Sequence, residues 1–205
     1  MMTSLTVAIM AGGKSSRMGT DKSFVRLLGK PLIEHLLERI KGLGEETILI
    51  TNRQAEYVHL GLPMFSDVLP EKGSLGGIYT AIHYSQQPYI LVIACDMPFV
   101  NPDLLRYMIG LADGSYEVIV PRVEGYPEGL HAIYHKDCLE PIRQRLEADQ
   151  LKVVGFYDAV RVRYLDEPEY QSFDPQGLSF RNINTPQELD EARWLITELT
   201  GKNRL

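Results

Sequence analysis

The sequence predicts an α/β fold with a mostly parallel central sheet flanked by helices. Short apolar runs of strand length alternate with amphipathic stretches of helix length. Two of those runs, Leu5–Met10 and Tyr89–Ala94, have the near-continuous apolar character of buried strands. The amphipathic stretches carry start and stop signals at their ends.

Taken in order, Leu5–Met10 opens the chain as a buried strand. A helix is predicted from Pro31 to Leu43, with Leu32, Ile33, Leu36, Leu37 and Ile40 on one face and Glu34, Glu38, Arg39 and Lys41 off it. Pro31 suits its first turn, and Gly42 and Gly44 supply the stop. Thr47–Thr51 is the next strand. Ser74 is placed to cap a helix from Leu75 to Tyr84. Tyr89–Ala94 is the strongest strand signal in the chain. Asn101 and Pro102 open a helix that turns Leu104, Leu105, Met108 and Ile109 inward. Strands are expected near Glu117–Pro121 and Leu130–Tyr134, with Asp137 capping a helix that carries Leu139, Ile142 and Leu146. Another strand is expected from Val160 to Leu165. The stretch from Asp166 to Arg181 shows no period and reads as loop. A final helix starts at a capping box, Thr185 with Glu188 three residues on, and runs on a stripe of Leu189, Ala192, Ile196 and Leu199. Trp194 reads as a packing residue. With no repeat, linker or low-complexity segment, residues 1–205 are expected to form one domain.

Composition narrows the function. Hydrophobic residues make up 44% and charged residues 23%, a soluble globular balance. A net charge of −6, without a basic run interleaved with aromatics, argues against nucleic acid or acidic membrane as partner. Two cysteines, Cys95 and Cys138, give neither a disulfide framework nor a cysteine-rich metal motif. No apolar run approaches membrane-spanning length and no leader is evident, so a cytoplasmic location is expected. An anionic ligand must therefore be held by local charge.

That local charge follows the first strand. Residues 10 to 22 read Met-Ala-Gly-Gly-Lys-Ser-Ser-Arg-Met-Gly-Thr-Asp-Lys. Glycines let a backbone approach a ligand and bare its N–H groups, and Lys14, Arg17 and Lys22 add the charge a polyphosphate needs. It is not a Walker A loop, because the place five residues before Gly13-Lys14-Ser15 is Ala8 rather than glycine. Nor is it a dinucleotide fingerprint, because Gly12 and Gly13 are adjacent. A second anchor is Asp96, at the carboxyl end of the Tyr89–Ala94 strand, where ligands gather in open α/β sheets. A carboxylate there suits Mg²⁺, and the stiffening prolines Pro98 and Pro102 help hold it still. The competing role for Asp96 is a turn cap before Pro98. Cys95 reads as a small packed hydrophobe, since no helix start or base stands beside it.

The motif Ala-Gly-Gly-x-Ser-x-Arg-Met-Gly-x-Asp-Lys resembles the opening of the nucleotidyltransferases, and specifically of the molybdenum cofactor guanylyltransferases. Further similarities follow in order across almost the whole chain: Gly29-Lys30-Pro31-Leu32, Thr51-Asn52, Ser66-Asp67, Gly73-Ser74-Leu75-Gly76-Gly77, Ala94-Cys95-Asp96-Met97-Pro98-Phe99 and Asn182-Ile183-Asn184-Thr185-Pro186. The chain departs from the family at Met10, usually Leu, and at Ser74, often Pro. The resemblance implies a Rossmann-like nucleotidyltransferase domain. It implies nucleotide binding by Met10, Ala11, Gly12, Gly13, Lys22, Asn52, Asp67 and Asp96, catalysis by Arg17, Lys22 and Asp96, and Mg²⁺ on Asp96. It sets His131 on the acceptor side, within Glu128-Gly129-Leu130-His131, which resembles the family's acceptor-side segment, and it places Asn182 and Asn184 beside the acceptor or in metal coordination.

Physical chemistry agrees in part. Asp accepts and Asn both donates and accepts, which matches the N–H donors and carbonyl of guanine. Asn52 and Asp67 also fit ordinary turn roles, as do Asn182 and Asn184, and a lone His131 in a strand fits a packed core position. The implied reaction moves GMP from GTP onto the terminal phosphate of molybdenum-molybdopterin and releases pyrophosphate. Implied protein partners are an upstream cofactor-insertion enzyme and molybdoenzyme-specific chaperones. The alternatives are a CTP-dependent molybdopterin cytidylyltransferase, a sugar-phosphate nucleotidyltransferase and, from another class, a non-catalytic GTP-binding regulator.

Overall fold

The structure is a computed structural model that describes residues 4–12 and 24–202. Strand β1 (Leu5–Met10) is followed by a hairpin of β2 (Arg26–Leu27) and β3 (Lys30–Pro31), helix α1 (Leu32–Ile40), β4 (Glu46–Ile50), α2 (Gln54–Tyr57), β5 (Met64–Phe65), α3 (Gly73–Tyr84) and β6 (Tyr89–Ala94). The second half adds α4 (Pro102–Gly110), β7 (Val118–Val123), β8 (Tyr126–Pro127), β9 (His131–His135), α5 (Leu139–Glu147), β10 (Val162–Leu165), α6 (Glu167–Tyr170) and α7 (Pro186–Lys202). Among the described residues, no helix is long and apolar enough to cross a membrane.

The main sheet runs β10-β7-β9-β6-β1-β4-β5, with β8 paired to β7. The pairs β6·β1, β1·β4, β4·β5 and β7·β10 are parallel, as the apolar runs lead one to expect. Strand β9 lies antiparallel between β6 and β7, and β8 pairs antiparallel with β7. Strands β1 and β6 are buried along their full lengths. Because side chains alternate across a strand, Val7, Ile9, Leu91 and Ile93 join the core under α1 and α4, whereas Ala8, Met10, Ile90 and Val92 join the core under α3 and α5. A smaller apolar cluster seats α7, through Leu189 and Ala192, on Leu27 and Leu32 of the hairpin region.

The helix signals hold where a side chain has a free N–H to meet. Asn101 Oδ1 accepts from the N–H groups of Asp103 and Leu104 and caps α4. At α7, Thr185 Oγ1 accepts from Glu188 N–H at 3.2 Å and Glu188 Oε2 accepts from Thr185 N–H at 2.9 Å, the reciprocal capping box. Two expected caps fail. Helix α3 starts two residues early, at Gly73, in the left-handed region at φ 59°, and its N-terminus has no side-chain cap. The Asp137 N–H instead donates to His135 Nδ1, inside a 3₁₀ turn that precedes α5. The expected loop from Asp166 to Arg181 contains α6 and a 3₁₀ turn at Leu178–Phe180, tied by Asp174, which accepts from Leu178 and Ser179 N–H. Elements this short bury too few residues to show a period. Trp194 does not pack: it lies 63% exposed on α7.

Candidate active site

The site is built on one register row. Met10 lies opposite Ile50 on one side and Ala94 on the other, and Ile50 lies opposite Phe65. These are the last residues of β1, β4, β6 and β5, all parallel, so their carboxyl ends share one edge of the sheet. Two residues past that row stand Gly12, Asn52, Asp96 and Asp67. Main-chain bonds carry the ladder one step beyond the row: Ala11 N–H donates to Ile50 O at 2.9 Å and Cys95 N–H to Met10 O at 3.1 Å. Across the edge the order is therefore Asp96, Gly12, Asn52, Asp67, at the usual spacing of about 4.8 Å per strand.

At the β4·β5 end the polar groups hold each other. Asn52 Nδ2 donates to Asp67 Oδ2 at 2.7 Å, and Asp67 N–H donates back to Asn52 Oδ1 at 2.9 Å. Thr80 Oγ1 accepts from Val68 N–H at 3.0 Å and donates to Gly76 O at 2.8 Å, which pins α3 behind them. Gly77 serves close packing. A Cβ there would stand 2.3 Å from Met10 Cε, and 3.9 Å from Asp67 Oδ1. Gly12 is different: among the described residues nothing lies within 4 Å of where its Cβ would be.

At the other end, β9 enters the edge from the opposite direction. Ala94 N–H donates to Leu130 O at 3.0 Å, extending the β6·β9 pairing to the row itself. Counting outward along β9 therefore runs backwards, and two residues beyond the row stands Glu128. Its carboxylate is half-buried next to Asp96, and its one hydrogen bond among the described residues is a long contact from Leu130 N–H at 3.4 Å. Burial pushes its pKa up, the Leu130 N–H opposes that, and the charge of Asp96 adds to the rise. Gly129 is fixed from behind, because Tyr134 donates its hydroxyl to Gly129 O at 2.8 Å and a Cβ on Gly129 would lie 2.5 Å from Val153 Cγ1.

His131 is fully buried, edge-on to Phe180 with ring centroids 4.9 Å apart. Neither ring nitrogen has a hydrogen-bond partner among the described residues. Burial drives its pKa down to about 4, partly offset by the charge of Asp174, so the imidazole is neutral at pH 7. In this structure the ring is a packed core group and offers no surface to a ligand.

Asn182 and Asn184 reach the site through the main chain, where Ile183 N–H donates to Asp96 O at 3.0 Å. Asn184 N–H is drawn into the α7 capping box by Glu188 Oε2 at 2.5 Å. Asn182 Oδ1 is buried and has no hydrogen-bond partner among the described residues. Asp96 and this carbonyl are oxygen donors only, a set that suits magnesium, which favours a carboxylate or two with waters and phosphates. No cluster of three or more His, Cys, Asp and Glu arranged for a metal occurs among the described residues. Both cysteines are free thiols; Cys138 is buried with its pKa pushed up to about 12, so it is no nucleophile.

The structure thus brings Met10, Ala11, Gly12, Asn52, Asp67, Asp96, Asn182 and Asn184 to one edge. Gly13, Arg17 and Lys22, together with Lys14, lie outside the described residues. Sequence reasoning passed over Glu128 as a site residue. The segment Glu128-Gly129-Leu130-His131 resembles the family's acceptor-side segment but draws attention to His131, and only the antiparallel entry of β9 puts Glu128 in line with the rest.

Comparison with known proteins gives the family. Residues 7–160 match the family model of the MobA-like NTP transferase domain. The chain is 34% identical to the Probable molybdenum cofactor guanylyltransferase of Natranaerobius thermophilus, over 94% of this chain and 97% of that one. It is 31% identical to the Molybdenum cofactor guanylyltransferase of Desulfosudis oleivorans, over 95% and 97%. Among solved structures it is similar to molybdopterin-guanine dinucleotide biosynthesis protein A from Archaeoglobus fulgidus, with a TM-score of 0.82, 29% identity and coverage of 94% and 99%.

Proposed function

The chain belongs to the MobA-like NTP transferase family, and from that premise we propose that it is a molybdenum cofactor guanylyltransferase. It transfers GMP from GTP to the terminal phosphate of molybdenum-molybdopterin, giving the guanine dinucleotide form of the cofactor and pyrophosphate. The observation that supports this reading is the shared register row, which sets the Asn52·Asp67 pair, Gly12 and Asp96 side by side on one sheet edge.

Asn52 and Asp67 take the guanine. Their mutual hydrogen bonds fix both side chains while Asp67 keeps its second oxygen for the N–H donors of the base. Met10, Ala11 and Gly12 present main chain to the phosphates, where the absence of a side chain at Gly12 allows close approach. Gly13, Arg17 and Lys22 continue that loop in sequence; Lys22 contacts phosphate oxygens and Arg17 the outer phosphates. Asp96, with Asn182 Oδ1, holds magnesium. When bound, the ion neutralises phosphate charge. The acceptor phosphate is already an anion, so this chain's residues need no strong general base. Their task is to overcome repulsion between two anions by positioning and by cationic contacts.

Residues 1–205 act as one nucleotidyltransferase domain in the cytoplasm. An upstream cofactor-insertion enzyme and molybdoenzyme-specific chaperones are the proposed protein partners. The test is a product assay with GTP, Mg²⁺ and molybdenum-molybdopterin, with CTP as competitor and a sugar phosphate as alternative acceptor. Guanine dinucleotide and pyrophosphate should form in equal amounts. Preference for CTP, transfer to the sugar phosphate, or nucleotide binding without turnover would each refute the reading.

A further inference from the structure

Glu128 mirrors Asp67. Both stand two residues beyond the same register row, one at the β9 end of the site and one at the β5 end, with Asp96 and Gly12 between them. Four strand spacings separate them, about 19 Å. Gly12 and the Asn52·Asp67 pair put the nucleotide over β1, β4 and β5, so an acceptor that meets the α-phosphate near Asp96 must approach over β9.

Glu128 is unusual for a half-buried carboxylate. Among the described residues its carboxylate has no cation partner, and the carboxylate's single hydrogen bond is the long one from Leu130 N–H. A carboxylate withdrawn from water needs donors to replace those it loses. Its supports are rigid: the Tyr134 hydroxyl, itself 3.1 Å from the Tyr157 hydroxyl, grips Gly129 O, and Glu128 N–H donates to Pro121 O at 2.9 Å. The main chain that carries the side chain is therefore held in place, while among the described residues its oxygens lack partners suited to them.

The two substrates share one recognition edge. Guanine and pterin both carry a 2-amino-4-oxo-type pyrimidine ring, with adjacent ring N–H and amino donors that a carboxylate accepts in parallel. We propose that Glu128 reads the pterin of the acceptor, accepting the ring N–H and the 2-amino N–H on its two carboxylate oxygens. This rests on the guanylyl-transfer reading given above. It assigns the two ends of the edge as separate readers of two bases of like pattern, with Asp96 between them.

The test uses 6-hydroxymethylpterin and 6-hydroxymethyllumazine, which has a 2-oxo group in place of the amine, as competitive inhibitors against molybdenum-molybdopterin. The wild-type protein should bind the pterin about tenfold more tightly than the lumazine. In Glu128→Gln the amide offers one acceptor and one donor, so the preference should reverse, while the KM for the acceptor rises about tenfold and the KM for GTP stays within about twofold. A thermal melt checks the fold, and Glu128→Ala, which should show no preference, separates reading from shape. If the wild-type protein forms no guanine dinucleotide, the functional reading fails whatever the inhibitors do. If it forms the product but Glu128→Gln keeps the wild-type preference, the Glu128 proposal falls and the function stands. A change confined to the GTP KM, or to Mn²⁺ affinity measured by electron paramagnetic resonance, would likewise overturn it.

Discussion

The two ends of the sheet edge are built on the same row but satisfied differently. At the β4·β5 end, Asn52 and Asp67 exchange two hydrogen bonds and α3 closes behind them. At the β9 end, the Glu128 carboxylate has one long hydrogen bond, and His131 and Asn182 keep buried polar atoms without partners, all among the described residues. Every buried polar group left unpartnered costs stability. A region that accepts such a cost is a region whose partners arrive with a ligand, or one where burial itself is the role. The first account fits Glu128, beside Asp96, and the second fits His131, sealed under Phe180.

The largest effect should come from the residue the two ends share. Asp96→Ala should cut guanylyl transfer by about 10²-fold or more with either substrate saturating, and leave the melting temperature within a few degrees. Near wild-type turnover would break the idea that both ends converge on it. Next comes His131. Its pKa of about 4 lies below the ordinary value, so the unfolded chain binds the proton more readily; stability is whole above about pH 6.5 and is lost as pH falls through 6.5 toward 4. Between pH 7 and pH 5 this group should account for about 2 kcal/mol, which His131→Phe should abolish in paired denaturant melts. Equal acid loss in both proteins would show that the imidazole is not held neutral. Asp67→Asn should raise the KM for GTP about tenfold and narrow the preference for GTP over XTP, with the acceptor KM little moved. An effect on the acceptor instead would erase the division between the ends. The smallest effect should be Gly129→Ala, whose methyl would press on Val153 Cγ1. It should cost about 1 kcal/mol in a melt and raise the acceptor KM a few-fold without changing that for GTP.

How much of this was legible in the sequence differs along the same line. Strand β6 was read to the residue, because a fully buried strand repeats no polar side chain and its flanks, Pro88 and Asp96, mark both ends. The position of Asp96 at the sheet edge was legible because it directly follows such a strand, whereas Gly13, Lys14, Arg17 and Lys22 lie outside the described residues. The direction of β9 was not, since the residues of a short strand do not encode whether its neighbours run with or against it. Glu128 was overlooked for that reason, as it enters the site only once β9 is reversed. Ser74 and Asp137 have good capping chemistry, yet their helices begin elsewhere, because Gly73 in the left-handed region and the His135 ring nitrogen meet the backbone first. The hairpin of β2 and β3 turns on Leu28 and Gly29, both at positive φ, and a leucine there gives no hint of a tight turn.

The common row has an evolutionary corollary. Its anchor points are set by peptide groups, which no substitution alters, so the side chains at the tips can be exchanged while the baseline from which they project stays put. A slip of one residue in any strand would move its tip by about 3.3 Å and turn it to the opposite face. Selectivity in this protein should therefore drift by replacement at positions 52, 67 and 128, while insertions or deletions within the strands that carry them should be purged.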